Sequence, residues 1–278
     1  MPSVAVIQMT SSASVDKSLK RAESLILEAA KSVPDAIFLP ENFPALGSTN
    51  PYAIGYAERG GKGPIFQFLT EMAFRTRSWI FAGTMPIASL ADGSATESNR
   101  VRAASLVINS SGERVARYDK IHMFDAEVAD GHRNYRESST FEPGTAVVAV
   151  DSPVGRVGLS VCYDLRFPEL YRQLFLEKCD LIAVPSAFTR VTGAAHFEVL
   201  LRARAIENTS YIVAACQVGT HDSGRETYGH SMVISPWGER LGCLERDEGV
   251  LHVPVDLGKV KEIRADMPFL SQAKLLTQ

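Results

Sequence analysis

The sequence predicts an α/β fold, and three observations carry that expectation. Apolar runs of strand length alternate with amphipathic stretches of helix length along the whole chain. Hydrophobic residues make up 45% of the 278 positions, enough for a large core. No repeat, low-complexity tract or linker-like stretch interrupts the pattern, so residues 1–278 read as a single domain.

The elements follow in order. Residues 3–9 alternate as a strand, and 14–31 place Leu19, Ala22, Leu25, Ile26 and Ala29 on one helical face. Residues 36–39 form a buried strand ending at Pro40, and 64–75 a helix with Pro64 in its first turn. Strands are expected at 79–82 and 101–109, with a turn at Ser111-Gly112 and a return over 114–118. A second hairpin runs from 146–150 through 151–155 to 157–161. Helices at 168–177 and 196–207 alternate with strands at 181–184 and 211–215, and strands at 231–234 and 250–255 complete the set. The tail after Asp256 is amphipathic and is expected to pack on a partner subunit.

Composition narrows the function. Net charge is −3 and no lysine- or arginine-rich block occurs, which argues against nucleic acid as a partner. The four cysteines form no CxxC pair, and their wide spacing points to free thiols in a reducing compartment. No signal-peptide pattern opens the chain and no apolar run approaches transmembrane length, so a cytoplasmic enzyme without membrane contact is expected. Gly60-Gly61-Lys62-Gly63 lacks the strand–loop–helix context of a phosphate loop. No spacing such as HExxH suggests a metal site.

Three polar residues stand at the ends of expected strands. Cys162 lies between the strand-like 157–161 and the helix start at Pro168, a turn that exposes a side chain and leaves backbone N–H groups for an oxyanion. A buried structural cysteine is the alternative, and Cys179, Cys216 and Cys243 are read that way. Glu41 follows Pro40 at the edge of a buried strand, where partial desolvation suits a general base. An exposed loop glutamate is the ordinary reading. Lys120 follows the strand 114–118 and taken alone reads as a surface lysine. A Cys–His hydrolase would instead draw its base from His122, His132, His196 or His230. Nothing ties any of them to Cys162, and His122 reads as support for Lys120.

LPEN around Glu41, YDKIHMFD around Lys120 and GLSVCYDLRFPELYR around Cys162 resemble, in order, the three catalytic signatures of the nitrilase superfamily of carbon–nitrogen hydrolases. PSAFTRVTGAAHFEVLLRARAIEN and YGHSMVISPWGE are similar to its later signatures, so the resemblance covers nearly the whole chain. It implies a four-layer α-β-β-α sandwich, assembled as a homodimer or larger homo-oligomer through helical faces, with no cofactor. It also implies a second glutamate, which Glu137 matches best, with Glu127 and Glu142 as competitors.

The resemblance implies amide hydrolysis through a thioester on Cys162. Glu41 would be the base, and the oxyanion would sit between Lys120 and the Tyr163 N–H. Among the branches of the superfamily, CYDLRFPEL and the two later segments look most like the deaminated glutathione amidases. The ω-amidases, which cleave α-ketoglutaramate, are the alternative. Either substrate is a small carboxylate-bearing amide. Arg166 would clamp the carboxylate or form an ion pair with Asp164 or Glu169. Arg190 and Thr192, in the loop after Ser186-Ala187-Phe188, are further binding candidates, with Phe188 as an apolar wall. Loops 47–63 and 129–136, with Arg133, Arg136 and Arg225, would anchor a longer substrate.

Overall fold

Alternation decides what each face of the first strand covers. In Ser3–Gln8, Val4 and Val6 join one apolar cluster, while Ala5 and Ile7 join another. The computed structural model describes residues 1–97 and 99–275, and the same split recurs in its neighbouring strands. Phe38, Phe81 and Val107 share a cluster with Val157, Leu159, Leu181 and Ile212 of a second sheet. Ile37, Ile80 and Leu106 pack instead with Leu25, Ile26, Leu69 and Met72 of two helices. Two sheets therefore meet face to face, and helices cover their outer faces, giving the four-layer α-β-β-α sandwich.

The first sheet runs in the order Gly249–Pro254, Ser3–Gln8, Ala36–Phe38, Trp79–Phe81, Arg102–Ile108, Met85–Ile87, with Arg114–Asp119 also paired to Arg102–Ile108. The second runs Arg240–Cys243, Met232–Ile234, Tyr211–Ala214, Leu181–Ala183, Gly155–Leu159, Ala149–Ser152. The central pairs of both sheets are parallel. A parallel bridge between Met9 and Gln217 joins the sheets beyond their strand ends, so these central strands finish at one edge of the sandwich. That edge is where a parallel sheet leaves room for a ligand.

Val15–Ala30 and Pro64–Thr76 cover the first sheet. Pro168–Leu176 and Arg190–Asn208 cover the second through Leu170, Leu174, Phe197, Leu201 and Ala205. No helix among the described residues is long and apolar enough to cross a membrane.

Two expectations need correction. The helix expected at 196–207 begins at Arg190, because the Thr189 side chain caps it by accepting from the Thr192 N–H. Arg190 and Thr192 thus lie on a helical turn rather than in a loop. Within the tail after Asp256, the helix Leu257–Asp266 packs on its own chain: Asp256 caps it, and its Val260 and Ile263 are buried.

Candidate active site

Glu41, Lys120 and Cys162 each leave a strand at the shared edge. Glu41 stands three residues beyond Ala36–Phe38, where Gly83 (φ 53°) lets two backbones touch. A Cβ at Gly83 would lie 1.9 Å from the Pro40 carbonyl oxygen, so only glycine fits beneath this turn. Lys120 directly follows Arg114–Asp119 and keeps pairing through its N–H to the Ala103 carbonyl (3.0 Å). Cys162 opens the 3₁₀ turn Cys162–Arg166 three residues beyond Gly155–Leu159. Its φ of 47° is left-handed, an uncommon state for a residue with a Cβ, and its N–H donates to the Pro185 carbonyl (2.9 Å).

The three side chains line one cavity. Lys120 Nζ donates to Glu41 Oε1 at 2.8 Å and to both Glu137 carboxylate oxygens at 2.8 Å. Lys120 and Glu41 are 1% and 3% exposed, so this is a buried ionic cluster rather than a surface pair. The second Glu41 oxygen accepts from the Ala187 N–H (2.9 Å), and Gln217 Nε2 donates to the Glu41 carbonyl (2.9 Å). Glu137 Oε2 accepts from the Phe124 N–H (2.6 Å). The competing glutamates lie elsewhere: Glu142 pairs with Arg102 (3.4 Å), and the exposed Glu127 with Arg136 (3.9 Å).

Electrostatics divides the protons. Burial, then the Glu41 carboxylate, pushes the Cys162 thiol well above its ordinary range, with Lys120 opposing. Burial also opposes the charge on Lys120, yet the carboxylates of Glu137 and Glu41 outweigh it and hold its pKa above the ordinary lysine value. Burial raises Glu137 as well, against the pull of Lys120. Moving the thiol proton to Glu41 leaves the net charge of this buried cluster unchanged, which avoids the larger cost of adding a charge in a low-dielectric site.

A cavity of about 240 Å³ opens over the cluster, lined among others by Glu41, Lys120, Phe124, Glu137, Cys162 and Arg225. Arg166 is not among its lining residues and pairs with neither Asp164 nor Glu169. Its guanidinium lies 5.7 Å from the Tyr163 ring centroid and 5.4 Å from that of Phe188, with Nη1 3.4 Å from His196 Nδ1. Phe188 is buried against Phe197 (4.8 Å), Arg190 reaches toward Glu226 (3.5 Å) on the surface, and the Thr192 hydroxyl bonds Thr189 (2.8 Å). None of these three lines the cavity.

Sequence reasoning missed Asp164, considered only as a partner for Arg166. It is fully buried and accepts from Tyr118 Oη (2.7 Å), the Val161 N–H (2.8 Å) and the His122 N–H (3.0 Å), with His122 Nδ1 2.6 Å away. It thereby ties the loop carrying Lys120 to the turn carrying Cys162. An acid inside the otherwise uncharged run 157–165 was the available signal. His122 touches Asp164 and stacks on Phe167 (3.7 Å), so it supports the site from behind.

A family model described as carbon–nitrogen hydrolase matches residues 3–265. The chain is 40% identical to a deaminated glutathione amidase of Yersinia enterocolitica over 274 residues, covering 99% of this chain and 93% of that protein. It is 39% identical to a protein of the same name from Synechocystis sp., covering 96% of each. The crystal structure of the C. elegans NitFhit protein superposes with a TM-score of 0.87 at 34% identity, covering 98% of this chain and 65% of that longer one.

Proposed function

The chain belongs to the carbon–nitrogen hydrolase family, and on that premise we propose that it is an amidase that hydrolyses deaminated glutathione through a Cys162 thioester. The carrying observation is the Lys120 ammonium, held 2.8 Å from both Glu41 and Glu137 in the cavity that Cys162 lines. Glu41 takes the Cys162 proton as Sγ attacks the amide carbon. The tetrahedral oxyanion lies between Lys120 Nζ and the N–H of Tyr163, the second residue of a helical turn whose first N–H groups lack intrahelical partners. Glu41 then protonates the departing amine, which is cysteinylglycine for this substrate. Water, deprotonated by Glu41, hydrolyses the thioester, releasing the α-keto acid and returning the proton to Cys162. Glu137 holds Lys120 in place and balances its charge.

Relatives named deaminated glutathione amidase at 35–40% identity and near-full coverage of this chain support this substrate over α-ketoglutaramate. We expect kcat/KM for deaminated glutathione to exceed that for α-ketoglutaramate by at least about tenfold, or about 1.4 kcal/mol of transition-state discrimination. Faster cleavage of α-ketoglutaramate refutes the substrate assignment.

We also read the protein as a cytoplasmic homo-oligomer. Four free thiols support a reducing compartment. Exposed Val191, Val199 and Ile206 on the helix Arg190–Asn208, next to exposed Trp237, support a self-association face.

A further inference from the structure

The catalytic cavity, at about 240 Å³, is smaller than the roughly 300–1,000 Å³ of common ligand pockets. A substrate the size of a tripeptide has to extend out of it. A second hollow of about 610 Å³ adjoins it, and the two share His132, Tyr135 and Arg225 as walls. The acyl half stays on Cys162 after the first step, so the leaving half belongs in the outer hollow.

Arg225 stands at the junction. Its guanidinium lies 5.3 Å from the Tyr135 ring centroid, and Nη2 donates to the Ala187 carbonyl. Among the described residues it forms no ion pair, and its buried Nε has no hydrogen-bond partner. The other Lys and Arg side chains that line the two hollows each face a carboxylate: Lys120 faces two, Arg136 faces Glu127 at 3.9 Å and Arg190 faces Glu226 at 3.5 Å. A half-buried guanidinium without a counter-ion at a cavity junction suits an incoming carboxylate. Resting on the amidase reading above, we infer that Arg225 is a specificity-determining residue that binds the terminal carboxylate of the peptide leaving group in the outer hollow.

Ala187 supplies a rival role for the same side chain. Its carbonyl accepts from Arg225 while its N–H donates to Glu41 (2.9 Å), so Arg225 also stands two hydrogen bonds from the general base. The test separates the two. Steady-state kcat and KM are measured for deaminated glutathione, for the same molecule with its terminal carboxylate amidated, and for α-ketoglutaramate. The enzymes are wild type, Arg225→Ala, Arg225→Gln and Arg225→Lys, the Gln variant preserving a donor toward Ala187. Amidating the substrate should cost wild type about 10- to 100-fold in kcat/KM, mostly through KM, as for a lost charge-assisted contact.

Arg225→Ala and Arg225→Gln should lose a similar factor on deaminated glutathione, and amidation should then cost them less than about threefold. Arg225→Lys should recover part of the loss. The loss on α-ketoglutaramate, which has no peptide carboxylate, should be at least about tenfold smaller. Equal losses on all three substrates, or the full amidation penalty in Arg225→Ala, would overturn the inference while leaving the amidase reading standing. Absence of wild-type turnover on every substrate would fell the amidase reading first, and this assignment with it.

Discussion

At the residue scale, the site is a charge problem with one thiol, one ammonium and two carboxylates largely buried beneath a small cavity. Because burial and Glu41 hold the Cys162 thiol well above its ordinary range, little thiolate exists at neutral pH in the free enzyme. Iodoacetamide labelling of Cys162 should therefore keep accelerating as pH rises through and beyond the ordinary thiol value of about 8.5. Lys120→Ala removes the cation that opposes the shift, so labelling at fixed pH should slow. A rate plateau at or below that value, or faster labelling in the variant, contradicts the charge assignment. The same substitution leaves two buried carboxylates without their counter-ion. It should cost roughly 3–5 kcal/mol of stability in chemical denaturation, and the lost oxyanion donor should lower kcat by about two to three decades. The linkage sign follows from the raised lysine: its contribution is fully present below the ordinary lysine pKa and is lost as pH rises through the higher folded value. Alkaline unfolding of the wild type should reflect that loss, and Lys120→Ala should flatten it.

At the scale of elements, placement comes from strand ends, and Asp164 locks two of them together. Asp164→Asn keeps the shape but replaces an acceptor-only carboxylate with a group that points an NH₂ at one or two of the three protein donors. It should destabilise the fold by roughly 1–3 kcal/mol in urea unfolding and lower kcat more than it raises KM, since it moves Lys120 and Cys162 relative to each other. Unchanged kcat would show that Asp164 serves stability alone. Much at this scale was legible. The strand at 3–9 was read from its apolar run, and Leu25, Ile26 and Ala29 gave the helix face that covers the sheet. The start of Arg190–Asn208 was not legible, because Val191, Thr192 and Gly193 are weak helix formers. Gly193 sits there because Tyr228 leaves no room: a Cβ would lie 2.4 Å from its ring. The hairpin of Asp125–Glu127 and Asn134–Arg136 was missed because three-residue, largely exposed strands carry almost no periodicity. Arg166 sits close to the turn, as its spacing from Cys162 implied, and the rings of Tyr163 and Phe188 flank its guanidinium.

At the scale of the whole molecule, the site exists only when the two sheets are packed. Glu41 and Lys120 come from the first sheet and Cys162 from the second, and 121 residues separate Glu41 from Cys162 along the sequence. No periodicity reports such a meeting, so resemblance to known motifs had to supply it at the sequence level. The exposed apolar side chains on Arg190–Asn208, with Val199 69% exposed, should be covered by a second copy. Light scattering on the purified protein should give at least twice the 30.3 kDa chain mass, and Val199→Asp should shift it toward one chain. A wild-type monomer would contradict this.

The central claim is that Cys162 carries the acyl group. It is tested most directly by acid-quenching the enzyme during turnover of deaminated glutathione and mapping the intact and digested protein by mass spectrometry. The predicted result is an adduct with the mass of the α-keto acyl group on Cys162 alone, absent in a folded but inactive Cys162→Ala and strongly reduced in Glu41→Gln, which lacks the base for acylation. An adduct on Cys179, Cys216 or Cys243, or turnover by Cys162→Ala, would contradict it.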